Sequence, residues 1–226
     1  MNGHLISPTG GAVLLVLFTA WRPSWGQAQG AWVPVIAKQQ VMVYQDIPGR
    51  GRVLVRDAVG SYLRNRDGSV YERAVTVQGE SRPEEETAML QDAREGRTYL
   101  IDYRSRSLRT LKEGKLPLPQ PPTDEDFRAR HSSWRSLGTK VIGTIECEGY
   151  EARPRPGNPE GPTGEMWVAP SLNFLVVESH LVDHVNKAEI FKTLVDIKVG
   201  QDPDERFFRP PDGFELKGPL LAPSAK

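Results

Sequence analysis

Only one cysteine, Cys147, occurs in the 226 residues. No disulfide can form within the chain, so its stability has to come from a hydrophobic core. The 29 Lys and Arg residues balance the 29 Asp and Glu residues, which argues against nucleic acid as a partner. None of Ser132, Ser133 and Ser179 lies in a Gly-x-Ser-x-Gly setting. The sequence therefore supports no hydrolase triad, and we expect neither catalysis nor a cofactor.

Long apolar runs are also lacking: none approaches the roughly 20 residues that span a bilayer. The run Ala12–Ala20 is typical of the core of a signal peptide. Gly26 and Ala28 place small residues before Gln29, which favours cleavage after Ala28; cleavage after Gly26 is the alternative. No Cys follows either site, as a lipoprotein would require. We predict a signal peptide at residues 1–28 and a soluble, periplasmic or secreted monomer with no transmembrane anchor.

Turn signals and alternating apolar residues predict β-strands in the first half of the mature chain. Asn65-Arg-Asp-Gly68 separates two strand-like runs, and Asp-Gly at such a position is a strong hairpin signal. Tyr99–Tyr103 and Ser107–Leu111 predict a second hairpin, with Tyr99 and Ile101 on one side of their strand.

Two segments have features of short helices. Ser81–Glu95 has Pro83 near its start, followed by three glutamates, which is the acidic opening of a helix. A solvated loop is the alternative. Asp124 is a candidate cap for a helix that runs to His131. The four prolines of Lys115–Pro122 predict an extended surface connection, and the Pro- and Gly-rich Arg153–Pro162 predicts a hairpin loop.

The second half of the chain is predicted to be a meander of strands. Alternation over Thr139–Gly149 predicts one strand with a buried face that includes Cys147, and its glycines Gly143 and Gly149 would allow the sheet to bend. Further strands are predicted at Glu165–Ala169, Phe174–Val182 and Ala188–Val199. In the last of these we expect Phe191, Val195, Ile197 and Val199 to point inward.

Three pieces of this meander, together with the hairpin Tyr62–Arg73, carry a family resemblance. The pieces are Gly138-Thr-Lys-Val-Ile-Gly143, Gly164-Glu-Met-Trp-Val168 and Asp196-Ile-Lys-Val-Gly-Gln-Asp-Pro-Asp-Glu-Arg-Phe-Phe208. They resemble uncharacterised exported bacterial proteins, which are similar in layout to the periplasmic lipoprotein-carrier (LolA/LolB-like) superfamily. The resemblance implies an incomplete antiparallel β-barrel with an apolar cavity for acyl chains.

The resulting fold prediction is a mainly β protein, with a curved antiparallel sheet and one or two short helices. We expect an N-terminal extended segment at residues 29–50, the half-barrel at residues 51–216 and a C-terminal tail at residues 217–226. The implied function is non-catalytic binding of a hydrophobic or lipid-like ligand. The candidate cavity-lining residues are Tyr99, Ile101, Met166, Trp167, Phe174, Val177, Phe191 and Val195.

Two other functions stay open at this point. One is an envelope protein–protein interaction module with a filled core, in which a sheet edge or the loop Lys115–Pro122 binds another protein. The other is a metal-dependent hydrolase that uses His180 and His184. On a strand, four residues at ~3.3 Å each would place these histidines ~13 Å apart, too far to share one ion without a tight turn at Asp183.

Overall fold

The computed structural model describes residues 31–77, 85–111, 120–132, 134–153 and 162–218. The predicted signal peptide, residues 115–119 of the Pro-rich connection and residues 154–161 of the predicted loop lie outside this part of the chain. The described part is mainly β, and its strands and helices follow in chain order: β1 Val35–Ile47, β2 Gly51–Arg64, β3 Val70–Thr76, β4 Glu85–Asp92, β5 Arg97–Asp102, β6 Ser107–Thr110, α1 Asp124–Arg130, β7 Arg135–Ile142, β8 Ile145–Ala152, β9 Thr163–Ala169, β10 Leu175–Asp183, β11 Ala188–Val199 and β12 Glu215–Lys217. Short 3-10 helices occur at Pro170–Leu172 and Glu205–Phe208.

The twelve described strands form a single sheet in the order β12-β6-β5-β4-β3-β2-β1-β11-β10-β9-β8-β7. Every neighbouring pair is antiparallel except β12 and β6, which run parallel. Two meanders, β1 to β6 and β7 to β11, are joined where β1 pairs with β11. The predicted curved, open antiparallel sheet is confirmed, and no described helix is long and apolar enough to cross a membrane.

Strand β1 lies in the middle of the sheet. The sheet therefore begins at Val35, before Gly51, where the sequence analysis placed the start of the half-barrel. Side chains of β1 alternate between two environments, since Val35, Ala37, Gln39, Val41 and Val43 are buried whereas Lys38 and Gln40 are exposed. We call the side with the buried residues the inner face and the opposite side the outer face.

The C-terminal segment covers one end of the outer face. Phe208 forms a cluster on this face with residues of β2 to β5, namely Leu63, Tyr71, Leu90, Tyr99 and Ile101. Phe207 packs against Tyr71 with a ring-centroid distance of 5.3 Å. The chain then reaches the far edge of the sheet, where β12 adds to β6.

Helix α1 packs on β8, β9 and the start of β10. Thr123 caps it, because its hydroxyl accepts from the Asp126 amide at 3.0 Å while the Asp126 carboxylate accepts from the Thr123 amide. This reciprocal arrangement is a capping box. The predicted helix is thus confirmed, with its cap one residue before Asp124. Phe127 stacks on Phe174 at a centroid distance of 4.3 Å and contacts Tyr150.

The predicted helix at Ser81–Glu95 is wrong over its described part, because Glu85–Asp92 is strand β4. Ala88 and Leu90 lie in the buried outer-face cluster, while Met89 between them is buried on the other side. The acidic opening that indicated a helix serves the sheet, since Glu86 pairs with Arg73 on β3 at 2.7 Å.

The predicted strand Thr139–Gly149 is two strands, because the chain turns at Gly143 and Thr144. Gly143 has φ of 63°, which glycine adopts without strain and which suits a two-residue hairpin loop. The turn reverses which alternate residues are buried, so Val141 is 68% exposed whereas Cys147 is buried.

Val195 was expected to point inward, but it is 45% exposed. Ala188, Ile190 and Leu194 are the buried residues of β11. The register between β1 and β11 shifts next to Val195, and Asp196 has φ of 53° there. This irregularity also leaves Val199 exposed.

Candidate functional site

The centre of the inner face is lined by small side chains between larger apolar ones. Val41, Val43, Ala58, Ala74, Ala188 and Ile190 form one buried cluster there, which we call the central cluster. All six residues come from four neighbouring strands, β1, β2, β3 and β11.

The other three clusters of the described structure each contain residues from outside the strands. Leu172 of a 3-10 helix joins the cluster around Val177, Phe208 joins the outer-face cluster, and Phe127 of α1 joins the cluster around Val168. A sheet face is normally stable only when a second layer covers it. The central cluster consists of strand residues only, and its six members are at most 7% exposed.

A buried ion pair borders the central cluster. Lys192 Nζ lies 2.9 Å from a Glu72 carboxylate oxygen, and the two side chains are only 16% and 11% exposed. Lys192 also lies over the Tyr62 ring, 5.7 Å from its centroid. Burial raises the pKa of Tyr62 to about 12. The charges of Lys192 and Glu72 therefore neutralise each other.

Three polar oxygens without hydrogen-bond partners surround Ala74. Register places Gln39, Gly60, Ala74 and Thr87 in one cross-strand row, and Thr76 follows Ala74 on the same face of β3. Gln39 Oε1, Thr76 Oγ1 and Thr87 Oγ1 are buried atoms with no hydrogen-bond partner among the described residues. We call these three residues the Ala74 patch.

Gly60 allows Gln39 to reach this patch. The Gln39 amide crosses β2 and donates through Nε2 to the Arg73 carbonyl oxygen at 2.8 Å. A Cβ at position 60 would lie 1.8 Å from the same carbonyl oxygen. Nε2 is the donor in this bond. The amide oxygen, Oε1, can only accept, and no described residue donates a hydrogen bond to it.

Arg64 stabilises one end of the inner face. It is 1% exposed, and its guanidinium donates to the carbonyl oxygens of Val33 at 3.0 Å and Leu172 at 2.7 Å. It also lies 5.1 Å from the Trp32 ring centroid. Burial lowers the pKa of Arg64. The side chain thereby fastens the segment before β1 and a 3-10 helix to β2.

The candidate lining residues predicted from the sequence lie in several places. Tyr99 and Ile101 are buried in the outer-face cluster, below the C-terminal segment. Trp167 and Val177 lie together in the cluster that contains Cys147. Phe174 lies beside α1. The alternation of single strands identified buried residues but not the face on which they lie.

The remaining three candidates are not in these clusters. Phe191 stacks on His180 with a centroid distance of 4.1 Å, Met166 is half-buried and Val195 is exposed. The eight candidates therefore do not surround one point. Gly149, which was expected to allow bending, seats the Trp167 ring, because a Cβ there would lie 2.6 Å from it.

The two histidines of the hydrolase alternative have separate environments. His180 of β10 stacks on Phe191 of β11, whereas His184 follows β10 and contacts the Thr163 hydroxyl at 2.9 Å. No group of three or more His, Cys, Asp or Glu side chains in the described part of the chain is placed to hold a metal ion.

The sequence analysis missed Gln39, Thr76, Thr87, Glu72 and Lys192. A polar residue at an apolar position of an alternating strand is the signal that was available for Gln39, which stands between Ala37 and Val41. The convergence of the other four depends on cross-strand register, which one strand does not reveal.

No family model matches the chain, and no curated protein matches it in sequence. Solved structures with a similar layout include an uncharacterised conserved protein from Thermus thermophilus, with 12% identity, coverage of 80% of this chain and 90% of that chain, and a TM-score of 0.41. The Pseudomonas aeruginosa MucA/MucB complex gives 16% identity over 77% of this chain and a TM-score of 0.41, and the match spans 55% of that chain, about half its length. A Vibrio parahaemolyticus domain described as an outer membrane lipoprotein-sorting protein has 10% identity and a TM-score of 0.38. The match covers 78% of this chain and 89% of that chain. The last of these carries the family description that the sequence pattern indicated.

Proposed function

We propose that this chain is an exported, non-catalytic protein that holds a hydrophobic or lipid-like ligand on the inner face of its sheet. The observation that supports this proposal is the central cluster. Its six side chains are apolar and small or medium-sized, and all of them come from four neighbouring strands of the sheet. An acyl chain suits such a face, because apolar walls bind it without precise polar contacts.

Export is part of the same proposal. We infer that residues 1–28 are removed and that the mature protein begins at Gln29 in the periplasm or outside the cell. A protein in that setting meets lipids and envelope proteins. The intact mass of the purified protein tests the cleavage site, since removal of residues 1–28 and of residues 1–26 give different masses.

Native mass spectrometry followed by lipid extraction tests ligand binding. The full-length gene is expressed in a bacterial host, and the protein is purified from the envelope fraction without detergent. We expect an acyl-containing species at a fixed stoichiometry. A ligand-free mass, together with no binding when an amphiphile is added, would contradict the proposal.

Two neighbouring substitutions on β2 provide a matched pair. Ala58 belongs to the central cluster, whereas Val59 points to the outer face and is exposed. If the face holds a ligand, the Ala58→Leu side chain takes the position of the ligand and abolishes co-purification with little loss of stability, and Val59→Leu changes neither. If the core is already filled, Ala58→Leu overpacks it and lowers the free energy of unfolding by about 1–3 kcal/mol.

A second candidate function is protein binding at the free edge of the sheet. Among the described strands, β7 ends the sheet order and pairs only with β8, and its Val141 is exposed. Unpaired edge strands are templates for added strands. If Ala58→Leu lowers the free energy of unfolding and the purified protein has a ligand-free mass, protein binding would be favoured over lipid binding.

A further inference from the structure

The Ala74 patch places unpaired polar atoms on the inner face, beside the apolar central cluster. Gln39 and Thr76 are 4% and 5% exposed, and each has a buried oxygen without a partner, as does Thr87. Buried polar atoms in proteins are nearly always hydrogen-bonded, so each exception calls for a reason. Three exceptions around one alanine point to a bound polar group.

The patch also has a defined chemistry. Gln39 Oε1 is an acceptor only, and each threonine hydroxyl can accept or donate. On the same face, Lys192 is paired with Glu72, and Asp102 is the cross-strand partner of Thr87. Because Gln39 Oε1 only accepts and a carboxylate residue follows Thr87 in the row, the patch suits a neutral group with hydroxyl or amide N–H donors better than a carboxylate or a phosphate.

We infer that the ligand is a neutral amphiphile with a hydroxyl- or amide-bearing head, seated on the Ala74 patch, and with its acyl chain along the central cluster. This inference rests on the proposed function and specifies the class of lipid. The head donates to Gln39 Oε1 and exchanges hydrogen bonds with the hydroxyls of Thr76 and Thr87. The chain covers Val41, Ala58 and Ile190.

A matched set of small amphiphiles tests the inference. Monolauroylglycerol, its di-O-methyl ether and laurate share one chain and differ in their heads, which are a neutral donor, a neutral group without donors and an anion. Calorimetric titration of the mature chain stripped of lipid, below the aggregation concentration of each compound, gives the three affinities. We expect monolauroylglycerol to bind at least about tenfold more tightly than the ether or laurate, which corresponds to about 1.4 kcal/mol.

Isosteric variants locate the effect. Thr76→Val combined with Thr87→Val should reduce the preference for monolauroylglycerol over the ether to about twofold or less, while the ether binds as before. Because the variant loses two unpaired buried hydroxyls, its ligand-free form should melt at the same or a higher temperature. Thr193→Val is the control, since Thr193 pairs with the exposed Gln40 on the outer face, and it should leave the preference unchanged.

The outcomes separate the two proposals. Equal binding of monolauroylglycerol and its ether, or tighter binding of laurate, would overturn the inferred head group and leave hydrophobic binding in place. A preference that survives in the Thr76→Val, Thr87→Val variant would also overturn it. Failure of all three compounds to bind would overturn the proposed function itself.

Discussion

Removal of one partner of the Glu72–Lys192 pair should destabilise the fold far more than removal of both. The pair joins β3 to β11 at 2.9 Å, with both side chains more than four-fifths buried. A single substitution to Met leaves the other charge largely desolvated and without its ion-pair partner, which typically costs 3–5 kcal/mol. We expect the lower end of this range, about 3 kcal/mol, because each side chain keeps some exposure.

A double-mutant cycle measured by urea unfolding tests this value. With a slope of about 2 kcal/mol per molar urea, each single variant, Glu72→Met or Lys192→Met, should lower the midpoint by about 1.5 M. The double variant should regain most of that loss, since methionines fill the space without a charge. Lys38→Met, which breaks the exposed pair with Asp196, should leave the midpoint unchanged.

The reasoning would be refuted if each single variant shifted the free energy of unfolding by less than about 1 kcal/mol. The same holds if the double variant were as unstable as the sum of the single ones. Either result would mean that the pair is solvated and that the inner face is open to water beside the central cluster.

Three further predictions concern packing. Gly60→Ala should lower the free energy of unfolding by about 3 kcal/mol in urea titrations, because the new methyl group would meet the backbone of β3; an unchanged midpoint would contradict the close approach. Val177→Ala should cost about 2 kcal/mol and Val195→Ala less than about 0.5 kcal/mol, since only Val177 is fully buried; equal losses in thermal melting would contradict the assigned faces. Burial raises the pKa of the Cys147 thiol, so a thiol reagent in mildly alkaline buffer should label Cys147 only after urea is added, and rapid labelling of the native protein would contradict its burial.

Local signals were sufficient to predict several elements of the fold. The Asn65–Gly68 turn forms as expected, with the Gly68 amide donating to the Asn65 carbonyl oxygen at 3.1 Å. The hairpin of β5 and β6 and the helix after residue 123 are also found. In each case the deciding residues lie within a few positions of one another, so the sequence contains the whole signal.

Elements that depend on distant partners were less predictable. Strand β4 has the acidic residues of a helix start, and its identity follows from pairing with both β3 and β5. The inner face of Val41, Ala58 and Thr76 is set by the register of three strands. Alternation assigns residues to two sides of a strand, but only the assembled sheet shows which side another segment covers.

Photo-crosslinking tests the central claim most directly, because it locates the ligand on the protein. The mature chain is irradiated with an amphiphile that carries a diazirine in its acyl chain, and the labelled peptides are sequenced by mass spectrometry. The account predicts adducts on the inner-face residues of β1, β2, β3 and β11, among them Val41 and Ile190, and their loss in Ala58→Leu but not in Val59→Leu. Adducts confined to the outer face or to β7, unaffected by Ala58→Leu, would contradict it.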